Sequence, residues 1–501
     1  MKQWTIFATG ATLAIAVPLG ATEAPQAKPK PPRDWSETLR EDARALHEAI
    51  ATSHPGMINP DDPGFSANND TQLAAALERA ETADSFADYF YAMQRHTAAF
   101  NDSHMGYGVF GSTPDLEVKW PGFIARDDGN RGLKVTRSED WSGVPVGSSV
   151  THCDGLSAYE LGASRIGKRF GRWTLGSQRH RYGAFVFVDY GDPYVDPITT
   201  CEFETPEGSK TVPLDWRSGG DDFYRRMDLF NFGEPAKIGM QEMEDGSYWV
   251  TLPTFTGNPG DPRSAQLRAL LDEMAEQADA LRNAPAIVLD LRGNGGGSGN
   301  RAHEIANVIW GQQAYRRFPE PPMTVVYRAS PQILASLEET YERRDKNGGL
   351  EDSIRAFYER MISQIGEAVA KGEDRLVFEP NLDAWPKPGD PVPEFTPPAA
   401  QVFFLTDAIC MSACLDAVDL WGRFGGVHIG QETGADTVYL EVRSVVMPSR
   451  IGSTSMPMKY FKGRERGHNE TVIPDHVYEG NLGDNDAVET WVTALIDKAQ
   501  S

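Results

Sequence analysis

The sequence predicts an α/β protein with a helical N-terminal unit and a separate β-rich module. Apolar residues recur at helical spacing in the unit over residues 33–114, for example at Leu39, Ala43 and Leu46. Short alternating runs separated by Gly, Asp and Pro turns follow over 115–215. From 236 to 495, continuous apolar runs alternate with amphipathic stretches, which predicts a parallel sheet with helical crossovers.

The composition is that of a globular chain. The 501 residues are 40% hydrophobic and 24% charged, which excludes a wholly disordered or fibrous protein. There are 48 Lys and Arg against 72 Asp and Glu, a net charge of -24. A chain this acidic repels phosphate backbones and anionic lipid surfaces, so we expect no nucleic-acid partner.

Residues 1–24 are typical of a cleavable signal peptide. Lys2 precedes the uncharged apolar run Thr5–Ala21, and small residues place the cleavage site around Ala21 to Ala24. The alternative is an uncleaved anchor, but the run is interrupted by Gly and Pro and is short for a bilayer of about 30 Å. We therefore expect a periplasmic or secreted protein with no membrane span after cleavage.

The four cysteines allow three pairings. Cys153 and Cys201 fall in the β-rich region and could form a disulfide there. Cys410 and Cys414 are four residues apart, and on a helix such side chains stack but rarely meet disulfide geometry. Buried thiols are an equal expectation for the four residues. The absence of a CxxC motif excludes a zinc ribbon and a thioredoxin-type site.

The α/β part from residue 236 contains four predicted strands and three predicted helices. The strands are Ser247–Leu252, Ala286–Leu291, Val402–Leu405 and Val427–Gly430, and the helices are Ser264–Arg282, Arg301–Trp310 and Ser412–Trp421. Residues 331–375 are charged and helical, which predicts an insertion that either covers the site as a lid or packs against the core. The Pro-rich stretch 378–398 predicts a loop.

The segment Asp290–Gly299 contains five glycines in seven residues directly after a predicted buried strand. It lacks the Lys of a phosphate-binding P-loop and fits the dinucleotide-binding pattern only loosely. Five glycines exceed what a tight connection needs, so their backbone amides are favoured as an oxyanion-binding loop.

Two polar residues are candidates for nucleophilic catalysis. Ser412 lies between a predicted strand and helix, where it is either a helix N-cap or a nucleophile with the Ala413 amide beside it. His104 lies in a polar loop after a helix, a place suited to proton transfer. No Ser has a Lys three residues later and no GxSxG motif occurs, so His is the expected base and an α/β-hydrolase is disfavoured.

These segments resemble the superfamily that contains the C-terminal processing (tail-specific) proteases, the tricorn protease core and the interphotoreceptor retinoid-binding protein. The matching motifs are Asp102–His104, Asp290–Gly297, Ser412–Ala413, Gly430–Gly434 and Pro474–Asp475. The resemblance covers roughly residues 35 to 495. It implies a crotonase/ClpP-like ββα-type core and a divergent PDZ-like module over 115–215.

The resemblance also implies site residues. The processing proteases use a Ser-Lys dyad, but no Lys occurs between Ser412 and Lys459, so this chain resembles the Ser-His, tricorn-like branch. The implied catalytic residues are Ser412, His104, Ser103 and Glu470 (with Glu465 as the alternative), and the implied oxyanion donors are Gly295 (or Gly296) and Ala413. No metal and no cofactor are implied.

The predicted function is that of an exported serine peptidase acting on a peptide or protein substrate. The PDZ-like module would bind an extended peptide by strand addition or be purely structural. The alternatives are a non-catalytic protein of the same fold that binds an apolar ligand or a peptide, an esterase that uses the same Ser-His pair, and a crotonase-like enzyme acting on acyl-CoA. Export and the lack of a basic phosphate site argue against the last. The oligomeric state is left open.

Overall fold

The computed structural model describes residues 33–111, 116–220, 222–223, 225–227, 236–258, 260–346, 352–380 and 390–500. The predicted signal peptide lies outside these residues, as does part of the predicted Pro-rich loop. Within the described ranges, no helix has the length and apolar character needed to cross a membrane.

Three helices form the N-terminal unit. They are α1 (Trp35–Ser53), α2 (Phe65–Ala80) and α3 (Phe86–Ala98). Helices α2 and α3 are separate because Ser85 starts α3 through a capping box with Asp88. The buried face of α1 includes Leu39, Leu46 and Ile50, as the helical spacing predicts.

The β-rich module is built on a six-stranded antiparallel sheet in which β3, β4, β5, β7 and β8 are neighbours in that order and β6 pairs with β5. The strands are β3 (Phe123–Asp127), β4 (Leu133–Ser138), β5 (Ser149–Cys153), β6 (Leu156–Ser157), β7 (Thr200–Thr205) and β8 (Gly208–Pro213). Strand β5 starts at Ser149, directly after a turn in which Gly147 has φ 88°. The Cys153–Cys201 disulfide joins directly opposed residues of β5 and β7.

Short helices of the module face the rest of the protein. They are α4 (Ala158–Gly162), α5 (Lys168–Phe170) and α6 (Gly176–Tyr182). A two-stranded ladder of β2 (Lys119–Trp120) and β9 (Arg217–Ser218) connects the module to its neighbours in the chain.

The α/β part contains a second six-stranded sheet, with β10 antiparallel at one edge and the other strands parallel. In spatial order the strands are β10 (Gly239–Glu242), β11 (Tyr248–Thr251), β12 (Ala286–Asp290), β15 (Gln401–Thr406), β16 (Val427–Gly430) and β19 (His476–Val477). The helices of this part are α7 (Pro262–Glu276), α8 (Ala278–Asn283), α9 (Asn300–Ile309), α10 (Gln312–Arg317), α13 (Ala413–Arg423) and α14 (Asn485–Gln500).

Both faces of this sheet are covered by helices. Ile287 and Leu289 of β12 belong to the core formed with α7, α9 and α13. Their neighbours Ala286 and Val288 belong to the core formed with α14 on the opposite face. A strand covered on both faces is apolar throughout, which explains the continuous apolar run in the sequence.

A third sheet connects the N-terminal unit to the α/β part. Its strands are β1 (Gly106–Val109), β13 (Thr324–Arg328), β14 (Arg375–Phe378), β17 (Tyr439–Val446) and β18 (Gly452–Lys462). The insertion contains α11 (Pro331–Lys346) and α12 (Asp352–Ala370) and then returns to this sheet through β14. The insertion is therefore a helical pair on the sheet, and the mixed helix-and-sheet class predicted for the chain is confirmed.

Candidate active site

Ser412 occupies a sharp turn between a parallel strand and a helix. Strand β15 ends at Thr406, and α13 begins at Ala413. Ser412 itself has φ 55° and ψ −127°, a sparsely populated conformation with positive φ that costs a non-glycine residue about 1–3 kcal/mol. Ser412 occupies the N-cap position of α13, as one of the two alternatives has it, but its side chain makes no capping hydrogen bond. Such strain at a half-buried hydroxyl is typical of a functional site.

The glycine loop after β12 packs directly on this turn. A β-carbon on Gly296 would lie 2.7 Å from the carbonyl oxygen of Met411 and 2.9 Å from Cβ of Ser412. Gly296 is buried with φ 97°, whereas Gly295 is exposed and a β-carbon there would meet nothing within 4 Å. The loop therefore needs glycine at 296 for close approach and opens outward at 295.

Side-chain hydrogen bonds fix the glycine loop from both ends. The carboxylate of Asp407 accepts the N–H of Gly293 at 2.8 Å and the N–H of Ile409 at 2.9 Å. The buried amide of Asn294 donates to the carbonyl of Leu252 at 2.7 Å and accepts the N–H of Gly296 at 2.9 Å. The glycine loop and the serine turn are thus positioned relative to each other by Asp407.

Two backbone N–H groups remain available at this junction. Among the described residues, no acceptor is bonded to the N–H of Gly295 or to that of Ala413. Ala413 is the first residue of α13, where the helix dipole places a partial positive charge. Two such donors beside a hydroxyl can stabilise a negative oxygen that develops on a carbonyl under attack.

His104 follows α3 in the turn that leads into β1, and it is paired with Asp102. Its backbone N–H donates to Oδ1 of Asp102 at 2.8 Å, and its Nδ1 lies 3.6 Å from the same oxygen. The side chain of His104 is 12% exposed and that of Asp102 is 2% exposed. The second distance is that of an ion pair rather than a hydrogen bond.

Burial and charge act in opposite directions on this pair. Burial alone would lower the pKa of His104, but the adjacent carboxylate of Asp102 outweighs it and raises the pKa above 6.5. Burial would likewise raise the pKa of Asp102, but the interaction with His104 lowers it. The arrangement keeps Asp102 ionised and makes His104 a stronger base.

Neighbouring residues connect the histidine turn to the serine turn. Arg172, which reaches out of the β-rich module, donates to the carbonyl of Ala435 at 2.6 Å, and its backbone N–H donates to Asn101. Gly434 packs against Met411, with a hypothetical β-carbon 2.4 Å from Cγ of that residue. No hydrogen bond joins His104 to Ser412 within the described part of the chain, and catalytic hydrogen bonds often tighten only with substrate present.

The remaining predicted residues lie in different settings. Ser103 is next to His104, and its Oγ is buried without a hydrogen-bond partner among the described residues. Glu470 is exposed and accepts the N–H of Gly467, and Glu465 pairs with Arg423 at 3.3 Å. The carboxylate that the structure brings to the histidine is that of Asp102. Asp102 belongs to the Asp102–His104 motif, but no role was predicted for it, although its position two residues before the histidine was a usable signal.

A buried charge cluster supports α13 from behind. Arg466 contacts the fully buried Asp436 and donates to Asp419 of α13 at 3.0 Å. Arg464 lies 3.2 Å from the same Asp436. Two guanidinium groups around one buried carboxylate compensate its charge, as burial requires.

A disulfide joins Cys410 to Cys414 across the serine turn. The expectation of stacked, unbonded side chains held only if both cysteines lay on a helix, and this condition is not met, because α13 starts at Ala413 and Cys410 lies in the preceding loop. Their Cα atoms are 5.3 Å apart, within the usual disulfide range. The alternative of buried thiols is wrong for both pairs, since the chain has no free cysteine.

The chain shares its fold with known structures over 93% of its length, although its sequence matches no protein-family model and no curated protein. Mature CPAF in complex with lactacystin aligns with a TM-score of 0.56 at 15% identity, covering 93% of this chain and 99% of that chain. Mature CPAF alone gives the same values. A CPAF mutant aligns with a TM-score of 0.54 at 14% identity, covering 93% of this chain and 96% of that chain. At 14% to 15% identity these matches show a fold shared with CPAF, and the fold is the part of the predicted resemblance that they confirm.

Proposed function

We propose that this protein is a serine peptidase in which Ser412 is the nucleophile and His104 the general base. The observation that carries the proposal is the turn with positive φ at Ser412, at the head of a helix and against the glycine loop. A strained, half-buried serine between two available N–H donors has the arrangement that acyl transfer requires. The fold shared with CPAF supports the same conclusion.

The mechanism follows from the positions of these groups. His104 takes the proton from Ser412 Oγ, which attacks the carbonyl carbon of a peptide bond. The N–H groups of Gly295 and Ala413 bind the oxyanion, each worth roughly 10²–10³ in rate. His104 then protonates the leaving amine, and water attacks the acyl-enzyme to release the second product.

Asp102 is the residue we assign to positioning the base. It holds His104 through both the backbone N–H and the ring, and its charge raises the pKa of the imidazole. Ser103 stays a candidate for polarising the pair because its buried hydroxyl is next to the histidine. Glu470 and Glu465 stay predictions, with side chains that bind other groups in this structure.

The same proposal includes export. The signal-like segment 1–24 and the two disulfides are consistent with a periplasmic or secreted enzyme. The proposal also includes a PDZ-like role for the β-rich module. Its sheet runs in the order β3, β4, β5, β7, β8, with β6 paired to β5, so an extended peptide could add as a further strand at an edge of the sheet.

Hydrolysis of an unfolded protein substrate by the mature protein tests this function. Ser412→Ala should abolish cleavage, with a loss of at least roughly 10³-fold. Ser444→Ala should cleave at the wild-type rate, because Ser444 is an exposed residue of β17. Cleavage that persists in Ser412→Ala would overturn the proposal. Cleavage of a simple ester but of no peptide would assign the same residues to an esterase.

A further inference from the structure

The disulfide between Cys410 and Cys414 encloses the proposed nucleophile. Cys410 precedes Ser412 by two residues and Cys414 follows it by two. Both cysteine side chains are 0% exposed. The five-residue loop that the disulfide closes contains both the attacking hydroxyl and Ala413, whose N–H is one of the two proposed oxyanion donors.

Backbone hydrogen bonds hold part of this loop, and the Ser412 carbonyl accepts the N–H groups of Leu415 at 2.8 Å and Asp416 at 3.2 Å. The N–H of Cys410 donates to Asp407 at 3.1 Å, and the N–H of Cys414 donates to Met411 at 3.1 Å. Ser412 lies between them in an unfavourable conformation with positive φ. A residue is retained in such a conformation only where its surroundings over-determine it. Packing by Gly296 and Gly434 supplies part of this constraint, and a covalent bond across the loop supplies more.

We propose that Cys410 and Cys414 are positioning residues whose disulfide holds Ser412 and Ala413 in their reactive arrangement. The proposal rests on the proposed function and adds a dependence on oxidation state to it. The enzyme with both thiols reduced would fold with a looser turn and react slowly. Formation of the disulfide would then activate it.

The activating step balances with a simple oxidant. The two thiols lose two protons and two electrons, and one oxidised glutathione molecule accepts them and becomes two reduced glutathione molecules. A mixed disulfide with glutathione forms first and is resolved by the second cysteine. Because both sulfur atoms are buried in the folded protein, exchange requires local opening of the turn.

The position of this disulfide separates positioning from general stabilisation. Cys153 and Cys201 are 48 residues apart, whereas Cys410 and Cys414 are only 4 apart. In the chain-entropy account, a longer closed loop gives the larger stabilisation. The short disulfide is therefore expected to act mainly at the serine turn and to contribute less to the stability of the whole chain than the Cys153–Cys201 disulfide does.

Paired variants test the proposal through the rate of reaction with a fluorophosphonate. We expect Cys410→Ala/Cys414→Ala to lower the maximal rate of Ser412 modification by roughly 10- to 100-fold, because small misplacements of reacting groups have effects of this size. The concentration for half-maximal rate and the midpoint of the pH profile should not change, since the pocket and the His104–Asp102 pair are untouched. Cys153→Ala/Cys201→Ala is the matched control and should react at a rate close to that of the wild type.

The outcomes are distinct for the two proposals. If wild-type Ser412 is not modified at all, the proposed function fails. If the wild type and both double variants react at equal maximal rates, the proposed function stands and the positioning role is overturned. A shift in the pH midpoint of Cys410→Ala/Cys414→Ala would also overturn it, because the effect would then act through the base.

Re-oxidation of the wild-type protein gives a second test that does not depend on the folding of a variant. The protein is reduced, refolded, freed of reductant, and then exposed to oxidised glutathione while peptide mapping follows the thiols. We expect the rate of Ser412 modification to rise together with loss of the Cys410 and Cys414 thiols. A full rate before these two thiols are oxidised would overturn the proposal.

Discussion

Gly296 lies so close to Ser412 that a β-carbon on the glycine would stand 2.9 Å from Cβ of the serine. The glycine loop and the serine turn therefore meet at a point where no side chain fits. Of the five glycines in this loop, Gly296 and Gly297 are the two at which a β-carbon would collide with neighbouring backbone, and Gly296 is the one that contacts the proposed nucleophile.

Substitution Gly296→Ala should damage both the fold and the site. The added methyl group is overpacked against Met411 and Ser412, and alanine is strained at φ 97°. We expect unfolding in urea to show a loss of about 1–3 kcal/mol, with modification of Ser412 by a fluorophosphonate slowed roughly 10-fold or more. Gly299→Ala is the control, since its β-carbon would lie 3.6 Å from the nearest atom at an ordinary φ of −58°. Equal behaviour of the two variants would contradict the close contact.

The Asp102–His104 pair predicts a specific pH dependence. Only neutral His104 can accept the serine proton, so the rate should rise with pH through the raised pKa of His104. The interaction between His104 and Asp102 also stabilises the fold, because the pKa of His104 is raised in the folded state. This stabilisation is fully present below about pH 6.5 and is lost as the pH rises through the raised pKa.

Asp102→Asn should move the midpoint of that profile to lower pH. The substitution removes the charge that raises the pKa of His104 and leaves the burial that lowers it. The rate at high pH should also fall by roughly 10²-fold, because the base is weaker and its ring is no longer held by a carboxylate. Asp272→Asn, an exposed residue of α7, is the control for kcat/KM against pH. An unchanged midpoint in Asp102→Asn would remove Asp102 from the account.

Arg466 should be important for stability. Its side chain is 3% exposed and contacts Asp436, which is 0% exposed. Arg466→Ala leaves that buried carboxylate with Arg464 alone, so we expect a loss of about 3–5 kcal/mol in urea unfolding. Lys346→Ala, which removes an exposed pair with Glu342, should cost about 1 kcal/mol or less. Similar losses in both variants would show that the cluster behind α13 is hydrated.

The two disulfides should rank differently in stability and in rate. Removing the Cys153–Cys201 disulfide should lower the free energy of unfolding by about 4 kcal/mol, and removing Cys410–Cys414 by about 2 kcal/mol, from the chain entropy of their loops. The effect on Ser412 reactivity should have the opposite order. Chemical denaturation of Cys153→Ala/Cys201→Ala and Cys410→Ala/Cys414→Ala measures the ranking in stability. A larger loss of unfolding free energy in Cys410→Ala/Cys414→Ala would contradict it.

The central strands could be predicted from the sequence because strands buried on both faces consist of continuous apolar runs. Strand β12 at Ala286–Asp290 is buried on both faces, so its apolar run needed no knowledge of its partners. Strands β17 and β18 were not predicted. Charged residues such as Glu441, Arg443 and Lys459 interrupt the apolar pattern of these two strands. The strands pair with each other, and β18 also pairs with the distant strand β13.

The candidate site was predictable in its residues but not in its connections. Ser412, His104 and the glycine loop stand out by residue type and by position after predicted elements. The role of Asp102 depends on a turn that buries it beside His104, and the Cys410–Cys414 disulfide depends on where α13 begins. A shift of a helix start by one or two residues decides such contacts, and helix boundaries are the least certain part of any pattern.

Mapping the site of covalent modification tests the central claim most directly. The mature wild-type protein, Ser412→Ala and His104→Ala are incubated with a fluorophosphonate, and the adduct is located by mass spectrometry of peptides. The account predicts one adduct, on Ser412, which is absent from Ser412→Ala and formed far more slowly in His104→Ala. An unmodified but folded wild-type protein, or an adduct on another serine such as Ser298, would contradict it.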